Sequence, residues 1–301
     1  MKVLVSGASG LVGSALVPAL EAEGHSVQRL VRSRPAGTGE VGWDPAGGTL
    51  DGAALAAARA DAVIHLAGES VGAGRWTPER KTRIKESRTK GTALLAEALA
   101  NLENPPATFL SASAIGYYGN RGDEQLTEDS RPGTGFLADV CRGWESATLP
   151  VYQRGVRVVN LRIGVVLSPN GGALEKLLPP FRLGLGGPFG NGKQWMSWIA
   201  LDDLIGAILH ALRSSALHGP VNLVGPNPTP NAEFARTLGQ VIGRPAILPA
   251  PAFALKMMLG GERAEELLLA SQRIEPRRLQ KTGYRFAYPD LEPALRHVLG
   301  R

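Results

Sequence analysis

Short apolar runs recur along the first half of the chain, each followed by a stretch with helical periodicity. The runs fall at residues 2–6, 26–32, 61–66, 107–112 and 156–162, and the helical stretches at 12–23, 77–101 and 134–152. Gly24 supplies a stop signal for the first helix, and Thr77-Pro78-Glu79 a start signal for the second. Strand and helix in strict alternation predict right-handed βαβ units and a parallel sheet covered on both faces. The expected fold class is therefore α/β, a doubly wound parallel sheet of Rossmann type.

The rhythm breaks after residue 165. A Pro- and Gly-rich stretch runs through Pro179, Pro180, Gly184, Gly186, Gly187, Pro188 and Gly190 and reads as irregular chain forming a lid or pocket wall. Residues 201–213 return to helical periodicity and 220–224 look like one further strand. The chain thus divides into a Rossmann domain over 1–165, to which 199–224 returns, and a smaller lobe from 166–198 and 225–301. That lobe includes a C-terminal module at about 249–299.

Composition narrows the picture. A chain of 301 residues, 44% hydrophobic and 20% charged, has enough apolar sequence for a full core. The single cysteine, Cys141, cannot form an internal disulfide. The five histidines have no pair at a metal-ligand spacing, so no metal site is expected. No apolar run approaches the roughly 20 residues of a membrane span. The net charge of +6 comes from dispersed arginines, which argues against a nucleic-acid partner. The expectation is a cytoplasmic monomer or homodimer with a small-molecule substrate and neither nucleic acid nor membrane as partner.

The densest chemical signal is Ser6-Gly7-Ala8-Ser9-Gly10-Leu11-Val12-Gly13, directly after the first strand and at the start of a helix. Gly7 permits a tight turn, Gly10 lets backbone approach a pyrophosphate, and Gly13 lets helix and strand pack closely. The helix N-terminus at Ser9, Leu11 and Val12 would hold the anion. Strand two ends in Arg32-Ser33-Arg34, with no carboxylate where an NAD enzyme places one for the ribose hydroxyls. Two guanidiniums and a hydroxyl suit a 2′-phosphate, so the expected cofactor is NADP(H). The turn Leu66-Ala67-Gly68 would pass under the adenosine, and Arg88 could reach an anionic cofactor.

Together with Ser111-Ala112-Ser113-Ala114-Ile115-Gly116-Tyr117-Tyr118-Gly119 and Arg162-Ile163-Gly164-Val165-Val166-Leu167, these segments resemble the extended short-chain dehydrogenase/reductase branch of NAD(P)-dependent epimerases and dehydratases. Trp43-Asp44, Ala67-Gly68-Glu69, Trp144-Glu145, the segment 180–188 and Trp198-Ile199 resemble, more narrowly, its 39U-type epimerase family, which includes cell-division-inhibitor-like proteins. The resemblance spans essentially the whole chain. It implies cofactor contacts that include Ser111 and Arg162, and chemistry by a serine with a Tyr-x-x-x-Lys pair. Ser113 matches the serine. Aligning Glu145 with the glutamate that usually follows the lysine puts Leu137 and Cys141 where tyrosine and lysine should stand, and no Tyr-x-x-x-Lys exists anywhere in the chain. The expected mechanism is hydride transfer on a carbonyl or carbinol carbon, with Ser113 and either Tyr117 or Tyr118 handling the oxygen and its proton. The alternative is a catalytically silent NADP(H)-binding protein that reports redox state or acts in cell division.

Overall fold

The computed structural model describes every residue except Ser33 and Thr38. In chain order the first half contains β1 (Lys2–Ser6), α1 (Leu11–Ala22), β2 (Ser26–Val31), β3 (Glu40–Asp44), β4 (Thr49–Leu50), α2 (Gly52–Ala58), β5 (Ala62–His65), α3 (Pro78–Ala100) and β6 (Thr108–Ala114). A single 3-10 turn at Ile115–Tyr118 leads to β7 (Gln125–Leu126), α4 (Phe136–Ser146), α5 (Leu149–Gln153), β8 (Arg157–Ile163), β9 (Val165–Leu167) and α6 (Gly172–Arg182). Then come β10 (Trp195–Met196), β11 (Trp198–Ala200), α7 (Leu201–Arg213), β12 (Gly219–Leu223), β13 (Thr229–Pro230), α8 (Asn231–Ile242), α9 (Ala252–Leu259) and α10 (Gly261–Ala264). A π turn at Glu265–Leu269 precedes β14 (Arg273–Ile274), α11 (Arg277–Lys281) and α12 (Leu291–Val298).

Eight strands form the main sheet in the order β12-β8-β6-β5-β1-β2-β3-β4, parallel throughout except for the last pair. The order reverses direction at β1, and ligands of such sheets sit outside the carboxyl ends of the strands at that switch. Successive residues of one strand feed opposite faces: Val3 and Val5 join Leu16, Leu20, Ile208 and Leu212 of α1 and α7, while Leu4 joins Leu95, Leu99 and Trp43 on the other side. A third cluster, around Trp198, Phe181, Phe234, Leu238 and Leu295, packs α6, α8 and α12 against β11.

Several elements differ from the sequence reading. β3, β4 and α2 fill a stretch left without elements, because β3 offers only Val41 and Trp43 as apolar positions, both buried. The expected helix 134–152 is two helices: Gly135 at φ 110° starts α4, and Pro150 falls in the first turn of α5, where its missing N–H costs nothing. Part of the expected irregular stretch is α6, whose Leu174, Leu178 and Phe181 form a buried stripe, with Pro179 and Pro180 in its final turn.

Candidate nucleotide groove and inner polar site

The turn after β1 is built by close backbone approach. Gly7 adopts φ 70° and accepts from the Gly10 amide at 3.0 Å. A Cβ on Gly7 would lie 2.9 Å from the Ala67 nitrogen, and one on Gly13 only 2.2 Å from the Gly7 oxygen. Glycine is therefore enforced at both positions by backbone contact. The groove above this turn has a volume of about 800 Å3 and is lined by Ser9, Gly10, Leu66, Ala67 and Gly68, with Arg29, Arg32, Glu40 and Trp43 at its far end. Leu11 and Val12 open α1, whose N-terminal amides carry no capping side chain, which leaves donors and a positive dipole end for an anion.

A buried relay supports the facing turn. Ser6 Oγ accepts from the amides of Leu66 (3.1 Å) and Ala67 (3.3 Å), so its own proton goes to His65 Nδ1 at 2.6 Å. His65 Nε2 then donates to Thr92 Oγ1 at 3.0 Å. Burial lowers the His65 pKa to about 4, so the ring stays neutral and this tautomer persists at neutral pH.

Arg32 lines the groove; Arg34 is exposed beyond the end of β2, and Ser33 lies outside the described residues. Among the groove residues not anticipated from sequence, Arg29 and Glu40 are charged and lie side by side. Arg29 lies inside β2, and Glu40 arrives on the unforeseen β3 as its register partner. A carboxylate is thus present where the sequence reading expected none. One of its oxygens already accepts from the Ala36 amide at 2.7 Å. Arg88 serves the groove wall: it donates to the carbonyls of Glu69 (2.9 Å) and Ile84 (3.0 Å), and its guanidinium lies 4.9 Å from the Trp144 ring centre. Burial pulls its pKa below the ordinary arginine value.

The second constellation lies at the carboxyl end of β6. Ser6, His65 and Ser111 are level across β1, β5 and β6, so Ser113 projects two residues past the end of β5. Ser111 is fully buried in the strand. Ser113 Oγ donates to Glu145 Oε1 at 2.7 Å, and Arg162 grips both oxygens of the same carboxylate, Nε to Oε1 and Nη2 to Oε2, each at 2.8 Å. Arg162 Nη1 reaches the Tyr118 hydroxyl at 2.9 Å and the Glu128 carbonyl at 3.3 Å. Burial works against the Arg162 charge, but the hydrogen bonds and attraction of Glu145 and Tyr118 outweigh it and hold the guanidinium more firmly protonated than usual. All three of its nitrogens are engaged inside this network rather than aimed at a cofactor phosphate.

Tyr117 and Tyr118 separate clearly. The Tyr118 side chain is fully buried, its hydroxyl donates to Asn222 Oδ1 at 2.7 Å, and burial raises its pKa to about 12. With both roles of that hydroxyl taken, Tyr118 has no proton for a substrate, which corrects its candidacy as the catalytic acid. Tyr117 is half-buried, with its ring over the Arg162 guanidinium at 3.5 Å. Leu137 and Cys141 pack against Gly116, and burial raises the Cys141 thiol to about 12, so neither side chain can exchange a proton near neutral pH.

Residues 3–225 match the NAD dependent epimerase/dehydratase family. The chain is a member of that family. Residues 250–298 match a second family, described only as a domain of unknown function. The chain is 43% identical over 299 residues to an epimerase family protein of Mycobacterium leprae, covering 99% of this chain and 96% of that one. It is 38% identical over 303 residues to the human epimerase family protein SDR39U1, covering 99% and 100%. A crystal structure of human SDR39U1 (isoform 2) with NADPH superposes with a TM-score of 0.89 at 36% identity, covering 100% of this chain and 99% of that one. A nucleoside-diphosphate sugar epimerase from Corynebacterium glutamicum gives 0.79 at 39% identity, covering 100% of this chain and 58% of that one. Among the described residues of this epimerase-family chain, no group of acidic, histidine or cysteine side chains is placed to hold a metal, and no helix is long and apolar enough to cross a membrane.

Proposed function

We propose that the protein is an NADP(H)-dependent oxidoreductase that transfers hydride on a small carbonyl or carbinol substrate. The observation that carries this reading is the groove itself: a glycine turn closed by backbone contact, uncapped helix amides for the pyrophosphate, and two arginines at the ribose end against one carboxylate. The NADPH in the crystal structure of the 36% identical human relative supports the cofactor assignment. NADP(H), when bound, supplies the hydride donor or acceptor. The chain's own residues do the rest: Gly7, Gly10 and Gly13 admit the pyrophosphate, Arg32 and Arg29 meet the 2′-phosphate, and Ser113 with Tyr117 orients the substrate oxygen.

A binding protein without turnover is the second reading, favoured by Leu137 and Cys141 standing packed against Gly116 in place of proton-exchanging groups. Fluorescence titration with NADPH and NADH, on the wild type and on Arg32→Ala, tests the cofactor assignment. Tighter binding of NADPH, lost on substitution, is expected; equal affinity for both nucleotides would overturn it. Turnover of NADP+ with secondary alcohols then separates enzyme from binding protein.

A further inference from the structure

The standard proton-exchanging pair is absent, yet the place beside Ser113 is filled by a charged couple. We propose that Glu145, oriented by Arg162, is the terminal proton acceptor of a Ser113–Glu145 relay, and that the site takes a carbinol as its substrate. The inference rests on the hydride-transfer reading above.

Proton counting carries the argument. A serine hydroxyl has one proton to give and two lone pairs to offer. Glu145 faces Ser113 with an oxygen at 2.7 Å and is itself gripped on both oxygens by a firmly protonated Arg162. The carboxylate therefore only accepts, and the Ser113 proton is committed to it. What Ser113 retains for a ligand is lone pairs, so its partner must donate. A carbinol O–H donates; a carbonyl oxygen does not.

In the step that follows, the substrate O–H proton passes to Ser113 Oγ while the serine proton passes to Glu145 Oε1. The hydride on the carbinol carbon leaves for the oxidised nicotinamide, and the C–O bond becomes a carbonyl. Glu145, now neutral, returns its proton to water. Arg162 is a positioning residue here, for it touches only the carboxylate, Tyr118, the Tyr117 ring and the Glu128 carbonyl. The titratable and charged groups around Glu145 are Arg162 from β8, Tyr118 from the turn after β6 with Glu128 behind it, and Cys141 from its own helix, against which Arg88 of α3 also packs. Tyr118 and Cys141 keep their protons to about pH 12, and the two arginines stay charged, so none of these four gives up a proton near neutral pH.

The test uses the full-length protein with NADP+ and a panel of secondary alcohols, including cyclohexanol, 1-phenylethanol and uridine diphosphate glucose, followed by nicotinamide absorbance. Glu145→Gln and Ser113→Ala should each lower kcat at least 100-fold with NADP+ affinity unchanged, while Ser113→Thr retains activity. Infrared difference spectra on adding cyclohexanol to the NADP+ complex should gain a protonated-carboxyl band that Glu145→Gln lacks. Full activity in Glu145→Gln overturns the relay alone. A wild type that binds NADP+ but oxidises no alcohol on the panel and shows no such band overturns both the relay and the hydride-transfer reading. Should Glu145→Gln fail to fold, Ser113→Ala with its Ser113→Thr rescue decides the matter.

Discussion

The two halves of the site are made in opposite ways. The nucleotide groove is backbone: glycines, turn amides and a helix end, packed so closely that a Cβ added at Gly7 or Gly13 would fall 2.2–2.9 Å from neighbouring backbone. The inner site is side chain: a serine, a carboxylate and a guanidinium drawn from three separate elements and almost sealed from water, with Arg162 and Glu145 only 3% and 13% exposed. Backbone recognition tolerates almost any neighbouring sequence and is hard to retune. A buried ion pair is chemically specific but fragile, because losing one partner strands the other charge.

That fragility gives the largest expected effect. Arg162→Met should cost about 3–5 kcal/mol in urea unfolding, since Glu145 is left buried without its counter-charge. The double variant Arg162→Met/Glu145→Leu should recover most of the loss. If the double variant is no more stable than the single one, the pair's role is steric rather than electrostatic.

The groove answers with Gly13→Ala. Its Cβ would meet the Gly7 oxygen at 2.2 Å and the Ala8 Cα at 2.7 Å, so either α1 or the turn must move. An overpacking cost of about 3 kcal/mol is expected, with NADPH binding weakened far more than the fold. Thermal unfolding and nucleotide titration on one preparation separate the two effects; unchanged NADPH affinity would show that the turn is not where the pyrophosphate sits.

Between the two regions lies His65, whose relay braces the Leu66-Ala67 turn. Its folded pKa of about 4 lies below the unfolded value of 6.5, so the unfolded chain binds the extra proton between these values. The stabilisation is complete above pH 6.5 and drains away as pH falls toward 4, by about 1.4 kcal/mol per unit. The difference in stability between wild type and His65→Asn should shrink along that limb. A pH-independent difference would mean that the ring is not held neutral by burial.

The groove was legible in the sequence because its information is local: three glycines at fixed spacing after an apolar run state both the turn and its ligand. The inner site was only half legible. Ser113 could be placed from the family resemblance of its segment, but the partnership of Glu145 and Arg162 joins residues 17 apart on α4 and β8, and nothing in the spacing says that they meet. Tyr117 and Tyr118 looked equivalent because adjacent residues on a tight turn can face core or solvent alike. Burial of the Tyr118 ring and its hydroxyl's contacts with Asn222 and Arg162 distinguish them. Glu40 escaped notice for a related reason: β3 has two apolar positions, too few to register as a strand, yet it carries a carboxylate into the groove.

That carboxylate yields the smallest and sharpest test. Glu40 and Arg29 are register partners on adjacent parallel strands, so their side chains leave the same face of the sheet. Glu40 should weaken the attraction for a 2′-phosphate while offering its other oxygen to a ribose hydroxyl. Replacement by glutamine keeps an acceptor for the Ala36 amide and removes only the charge. A half-buried charge at the groove rim such as this is worth about 0.5–1 kcal/mol, so Glu40→Gln should tighten NADPH binding roughly 2- to 5-fold and leave NADH unchanged or slightly weaker. The effect should fade in high salt, as it must for a screened interaction. Tighter binding of both nucleotides alike would place Glu40 beside the pyrophosphate instead of the ribose, and the discrimination would then fall to Arg29 and Arg32 alone.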